Sequence, residues 1–266
     1  MRSGYWQDFT TADFVGSDTT DCIAVLPVAA TEQHGPHLPL STDAVINQGI
    51  VEALLSEAGD ERSILVLPAI NVGCSLEHEN FPGTLSVQAG TLIDVWTGIG
   101  RDVCRAGIKK LVLLNSHGGQ TAIVDLVAVK LRAECEMLVA RANYFRFGVP
   151  DDLFDMDEIS QGIHGGEVET SLMLHIAPQL VRHAFLQDFS TTSSVIDAHS
   201  QVLGIEKPVG IGWLAEDLNL HGVVGNAARA DAVRGGQYLN YLVERLLLLC
   251  DELKACNAQP FDSSAR

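Results

Sequence analysis

Residues 22–28, Cys-Ile-Ala-Val-Leu-Pro-Val, form an apolar run with no polar alternation, and this restricts the fold more than any other feature of the chain. A strand apolar on both sides must be buried on both faces, as in the parallel sheets of α/β proteins. Residues 63–70, 110–115 and 137–142 repeat the pattern. Between them, residues 44–57, 91–106 and 121–135 place apolar side chains at helical spacing. Strands separated by helices predict a mostly parallel sheet covered on both faces, with functional residues at the carboxyl ends of the strands.

The second half is less regular. Residues 147–162 hold Pro150 and five acidic residues and read as a loop or lid. Residues 165–176 restart a helix, 187–209 read as irregular, and 228–254 as a long closing helix. No repeat or linker divides the chain, so one domain spanning 1–266 is expected.

With 266 residues and 47% hydrophobic content, the chain can bury a substantial core. Its net charge of −17 argues against nucleic acid as a partner and against an anionic membrane surface. Of six cysteines none forms a CxxC pair, which argues against a zinc ribbon or a thioredoxin-like motif. Cys22, Cys104 and Cys250 are expected to be buried thiols. The first residues lack the apolar core of a signal peptide, so a cytoplasmic location is expected.

Chemistry concentrates directly after the first apolar run. Glu32-Gln33-His34-Gly35-Pro36-His37-Leu38-Pro39-Leu40-Ser41-Thr42-Asp43 places a Glu, two His and an Asp within twelve residues. Glu32 and His34 are two apart, so on extended chain they share a side. Asp43 falls at the start of the next helix, where a plain N-cap is the competing reading, with Ser41 and Thr42 as rivals for that place. Asn115-Ser116-His117-Gly118-Gly119 follows the third strand and brings His117 to the same edge. Ile163-His164-Gly165-Gly166-Glu167-Val168-Glu169 adds two acids, of which only one is expected to face that edge, because helical positions two apart diverge. The loop Gly73–Thr84 faces the same edge. Glu77 or His78 can reach substrate from there, but neither is expected to hold metal.

Glu32, His34, Asp43, His117 and Glu167 are therefore the expected metal ligands. Carboxylate oxygens and imidazole nitrogens suit Zn, Mn or Fe. Five ligands exceed what one hydrolytic ion needs, and they fit two divalent ions with Asp43 as the bridge.

Glu-Gln-His-Gly-Pro-His-Leu-Pro-Leu-x-Thr-Asp (32–43), Phe-Pro-Gly-Thr (81–84), Asn-x-His-Gly-Gly (115–119) and His-Gly-Gly-Glu-x-Glu-Thr-Ser (164–171) together resemble the creatininase (creatinine amidohydrolase) family. The resemblance runs from about residue 5 to about residue 250 and keeps the family's motif order. It implies a three-layer α/β/α sandwich with a mostly parallel sheet, a two-metal centre and a homohexamer. It implies hydrolysis of a non-peptide C–N bond in a small amide, often cyclic or formyl. Carried over by position, Glu32 and His117 hold one ion, His34 holds the other, and Asp43 lies between them. His164 becomes the proton donor to the leaving nitrogen. Apart from the resemblance, Glu169 is expected to orient His164 or a ligand. Creatinine-hydrolysing members carry a Glu two residues after the metal-binding His of the third motif. Gly119 stands there in this chain, and Glu167 is expected to supply the missing carboxylate. Those members also surround creatinine with tryptophans before the fourth motif, and residues 151–163 contain none. The family's deformylases and a peptidase of a redox-cofactor pathway are alternatives.

Other classes fit less well. A phosphatase needs cations at the site, and only Arg146 and Arg182 are near in sequence. A dinucleotide-binding protein needs a glycine-rich turn where Pro27-Val28-Ala29-Ala30 stands. A non-catalytic metal-binding subunit needs a closed coordination shell.

Overall fold

The structure is a computed structural model, and it describes residues 1–191, 200–205 and 208–256. Five strands form the central sheet: β1 (Gly4–Tyr5), β2 (Ile23–Val28), β3 (Ile64–Val66), β4 (Lys110–Asn115) and β5 (Leu138–Asn143). Their order is β1-β3-β2-β4-β5, and every pairing is parallel. The helices are α1 (Thr11–Phe14), α2 (Thr42–Ala58), α3 (Ala89–Arg105), α4 (Thr121–Cys135), α5 (Met156–Gln161), α6 (Glu167–Ile176), α7 (Ala215–Leu218) and α8 (Ala232–Ala255). A short antiparallel pair, β6 (Asp188–Phe189) and β7 (Gly225–Asn226), lies outside the sheet.

The alternation along β2 explains the three layers. Ile23 and Val25 join α2, α6 and α8 in one apolar cluster that includes Ile46, Leu54, Leu172 and Leu242. Ala24, Leu26 and Val28 join α3 and α4 in a second, with Trp96, Val103, Val124 and Leu131. All six residues of β2 are buried, as are all six of β4. At about 25 cal/mol per Å² of apolar surface, two such faces supply most of the drive to fold.

The connection from β2 to β3 runs through α2 on one face. The connection from β4 to β5 runs through α4 on the other. The two loops that leave β2 and β4 therefore diverge, which opens a crevice at their carboxyl ends. Ligands in open α/β sheets bind at such a switch point.

Several elements differ from the sequence reading. The strand expected over 63–70 is only Ile64–Val66, because Pro68 has no amide hydrogen for a ladder. The expected loop 147–162 contains α5, whose N-cap Asp155 accepts a hydrogen bond from Asp157 N (3.0 Å). The closing helix starts at Ala232, where Asp231 caps it by accepting from Arg234 N (2.9 Å). Cys22 and Cys250 are buried, whereas Cys104 is partly exposed. The irregular segment expected at 187–209 lies partly outside the described residues. Among the described residues, no helix is long and apolar enough to cross a membrane.

Candidate metal centre

Glu32 and His34 leave the end of β2 and are both buried, 1% and 0% exposed. Gln33 between them is used differently. Its amide donates to Gly222 O (2.5 Å) and to His78 Nδ1 (2.8 Å), and its Oε1 accepts from Gly35 N (3.0 Å). Asp43 lies in the first turn of α2, where Ser41 takes the N-cap position. The N-cap reading of Asp43 therefore fails, and its carboxylate turns inward, 2% exposed.

Asp43 spans two imidazoles. Oδ1 lies 3.3 Å from His34 Nε2, and Oδ2 lies 3.5 Å from His117 Nδ1. Glu32 Oε1 lies 3.1 Å from the same His117 nitrogen and 3.5 Å from His78 Nε2. His117 thus turns Nδ1 to two carboxylates, while its Nε2–H donates to Cys74 O (2.9 Å). The loop after β4 that presents His117 is braced by Asn115, whose amide donates to His117 O (2.7 Å) and whose Oδ1 accepts from His117 N (3.0 Å).

His164 donates Nε2–H to Gln33 O (2.8 Å), which leaves Nδ1 3.9 Å from Glu32 Oε1. Its ring centroid lies 4.1 Å from that of His34 and 4.3 Å from that of His78. Glu169 Oε2 accepts from Gly165 N (2.6 Å), and its Oε1 accepts from Tyr144 OH (3.4 Å). Glu77 Oε1 is 3.6 Å from His117 Nε2. His164 and Glu77 reach solvent, at 12% and 16% exposure, and Glu169 is also partly exposed.

The expected ligand Glu167 is not in this cluster. Its carboxylate is fully buried and pairs with Arg234, and its Oε2 lies 3.6 Å from Arg229 Nε. Glu169, two positions on, stands with His34 and Asp43 instead. His78 and Tyr144 are further members that the sequence reading left out of the metal shell or did not name. For His78, its place in a loop facing the same edge was the available signal.

Charge at the centre follows from this packing. Burial works against the charged forms of His34 and His117. Asp43 overrides it at His34, pushing that ring up to about 9, and Glu32 overrides it at His117, pushing that ring up to about 10. Burial likewise works to raise the Glu32 carboxyl, and His117 outweighs it, holding Glu32 well below the usual carboxylate range. Burial, then the charge of Glu32, pushes Asp43 up to about 6. Burial, then the charge of His34, pushes His164 down to about 4. Two buried carboxylates thus draw positive charge into the space they share.

Glu32 Oε2, Asp43 Oδ2 and His34 Nε2 are buried without a hydrogen-bond partner. Such atoms are rare in folded proteins, and a cation would satisfy all three. Three trios hold ligand atoms within 4.8 Å of one another: Glu32/His34/His164, Glu32/Glu77/His117 and His34/Asp43/Glu169. Nitrogen and oxygen donors without thiolate fit Zn, Mn or Fe.

A parallel sheet carrying this carboxylate–imidazole cluster at a switch point between strands defines an α/β protein whose buried polar site suits a divalent metal ion. The creatininase family, described as creatinine amidohydrolase, matches residues 7–250. The chain belongs to that family and is one of its amidohydrolases. It is 31% identical over 186 residues to the mycofactocin precursor peptide peptidase of Mycolicibacterium smegmatis, covering 67% of this chain and 70% of that one. It is 31% identical over 177 residues to the creatinine amidohydrolase of Pseudomonas putida, covering 60% and 66%. A Bacteroides fragilis structure provisionally described as a creatinine amidohydrolase superposes with a TM-score of 0.76 at 24% identity, covering 96% and 98%. Structures of the same fold include a manganese form of creatininase (TM-score 0.71, 23% identity, covering 94% and 98%) and a Zn–Zn form (0.72, 23%, covering 95% and 98%).

Proposed function

We propose that this chain holds two divalent ions and hydrolyses the non-peptide C–N bond of a small cyclic or formyl amide. The observation that carries the reading is Asp43, whose two oxygens each face a different histidine in one buried cluster. Glu32 and His117 would hold one ion, and His34 and Glu169 the other, with Asp43 shared. The role expected for Glu167 passes to Glu169. Bound ions would supply an acidified water near neutral pH and a Lewis-acid contact for the amide carbonyl.

The proton steps fall to His164. Its Nε2–H is committed to Gln33 O, so in the neutral ring Nδ1 is the nitrogen open toward the cluster. With its pKa pushed down to about 4, the ring is neutral at pH 7 and can take a proton at Nδ1 from the attacking water. The same depressed basicity makes the resulting imidazolium more acidic than an ordinary one. It delivers that proton to the departing nitrogen, which leaves an amide poorly without one.

Residues 151–163 offer no tryptophan to stack on a creatinine ring, so other amides are the expected substrates. A second reading, cleavage of a short peptide, is favoured by the relative named as a peptidase. The proposal includes a homohexamer and a cytoplasmic location. The test is elemental analysis of protein purified without chelator, paired with an amine-release screen of cyclic amides, formyl amides and short peptides. Two ions per chain with chelator-sensitive turnover of an amide support the proposal. Turnover of peptides alone supports the second reading, and absence of metal with no rescue by Zn or Mn overturns both.

A further inference from the structure

His117 shows a different environment at each ring nitrogen. Nδ1 faces Glu32 and Asp43. Nε2 faces Cys74 O at 2.9 Å, Ser75 Oγ at 3.5 Å and Glu77 Oε1 at 3.6 Å. All three come from one short segment, the loop that follows β3. That loop is pressed onto the 115–120 turn. Cys74 N donates to Gln120 Oε1 (3.4 Å), and a Cβ on Gly73 would lie 2.5 Å from that same oxygen and 2.8 Å from Ala29 O.

At Gly119 the contact is tighter still. A Cβ there would lie 1.8 Å from Glu77 Oε1 and 2.6 Å from its Cδ. The Glu77 carboxylate occupies the space that any side chain at position 119 would need. The chain has placed a negative group over the far side of a candidate ligand and kept position 119 bare to admit it.

We infer that Glu77 is a positioning residue for His117, acting on Nε2 while Nδ1 faces the metal, and that Gly119 is required for Glu77 to reach it. The inference rests on the metal-centre reading above. A histidine that binds metal through one nitrogen is usually held at the other by a carbonyl or a carboxylate, which fixes the tautomer and raises ligand basicity. Cys74 O takes the hydrogen bond here, and Glu77 adds negative charge beside it. Glu77 came from a loop that the sequence reading assigned to substrate at most. Its place beside His117 Nε2 makes it a support for that ring instead.

The test uses the full chain and the variants Glu77→Ala, Glu77→Gln and Gly119→Ala. Affinity for Zn and for Mn at each of two sites is read by chelator competition, and kcat is read at saturating metal. Thermal unfolding of the chelated proteins checks the fold. All three variants are expected to bind one ion about 10–100-fold more weakly, with the other ion unchanged. Their kcat at saturating metal separates a loss of metal from a loss of chemistry. Unchanged affinities in the Glu77 variants, with wild type binding two ions, overturn the inference alone. A Gly119→Ala protein of wild-type affinity removes the steric half of it. A Glu77→Ala chain that cannot be loaded at one site at all makes Glu77 a ligand. A fall in kcat with unchanged affinity makes it a substrate contact, and either result overturns the positioning role. Wild type that binds no ion overturns the metal reading and this inference with it.

Discussion

Glu167 and Glu169 stand two positions apart on the first turn of α6 and serve opposite sides of it. Two helical residues differ by about 200° of rotation, so the two side chains cannot share a target. Glu167 goes to Arg234 at the start of α8, with Arg229 beside it. Glu169 goes to Gly165 N and Tyr144, within the trio that contains His34 and Asp43.

This pair makes a contrasting prediction. Glu167→Gln should keep both ions but lose stability, because Arg234 loses its carboxylate and keeps its bonds to Arg229 O and Leu153 O. Breaking a fully buried pair costs about 3–5 kcal/mol, and with Arg234 27% exposed and bonded to two carbonyls the loss is expected below that range. Glu169→Gln should lose an ion with a smaller change in stability. Metal analysis and denaturant unfolding of the two variants read the difference. Metal loss in Glu167→Gln at unchanged stability would reverse the two roles.

Asp43→Ala should lose both ions, since its two oxygens serve the two histidines separately. Elemental analysis checks this. Two ions retained per chain would remove Asp43 from the shared position.

His164→Ala should keep its metal and lose about 10²–10⁴-fold in turnover, the usual worth of a positioned proton-transfer group. Loss of metal along with turnover would make His164 a ligand, as its trio with Glu32 and His34 also allows.

Much of this centre was legible in residues 32–43 and 115–119, because both segments directly follow long apolar strands. A strand end fixes where the next residues project, so Glu32, His34 and His117 could be brought together from the sequence. The choice between Glu167 and Glu169 could not be made that way. It depends on where α6 begins, at Glu167 with Gly166 as its N-cap, and on an arginine 67 residues further on. The loop of Glu77 and His78 was expected at this edge, but their contacts with His117 and Glu32 were hidden for another reason. Both residues sit in a short 3₁₀ turn, Leu76–His78, with no periodicity to report which way it faces. The edge strand β1 has two residues, too few for any pattern.

Acid should weaken the metal-free protein through His37, with His164 and His78, which burial also pushes down, acting in the same direction. The His37 ring is fully buried, donates Nε2–H to Gly165 O (2.9 Å), and leaves Nδ1 without a partner. Burial pushes it down from 6.5 to about 4. The unfolded chain therefore takes up this proton more readily than the folded one. Stability from His37 is complete above about pH 6.5 and is lost as pH falls toward 4. His34 and His117 act in the other direction. Raised to about 9 and about 10, they contribute fully below 6.5 and lose their contribution as pH rises through those values. Melting temperatures of chelated protein should thus decline on both sides. His37→Asn should make the acid slope shallower, with the share of His164 and His78 remaining, and an unchanged acid slope would exclude His37 as a contributor.

The sheet that carries these residues is sealed on both faces by apolar side chains, with every residue of β2 and β4 buried. Its assembly therefore draws on oil-like packing and not on the ions. In zinc fingers the reverse holds, and the chain folds only as it takes up metal. With the sheet packed by apolar contacts, the chain is expected to fold before a cation arrives, so that less of the binding free energy would go into ordering it. A cell could strip and reload this centre, or exchange one metal for another, without the protein passing through an unfolded state.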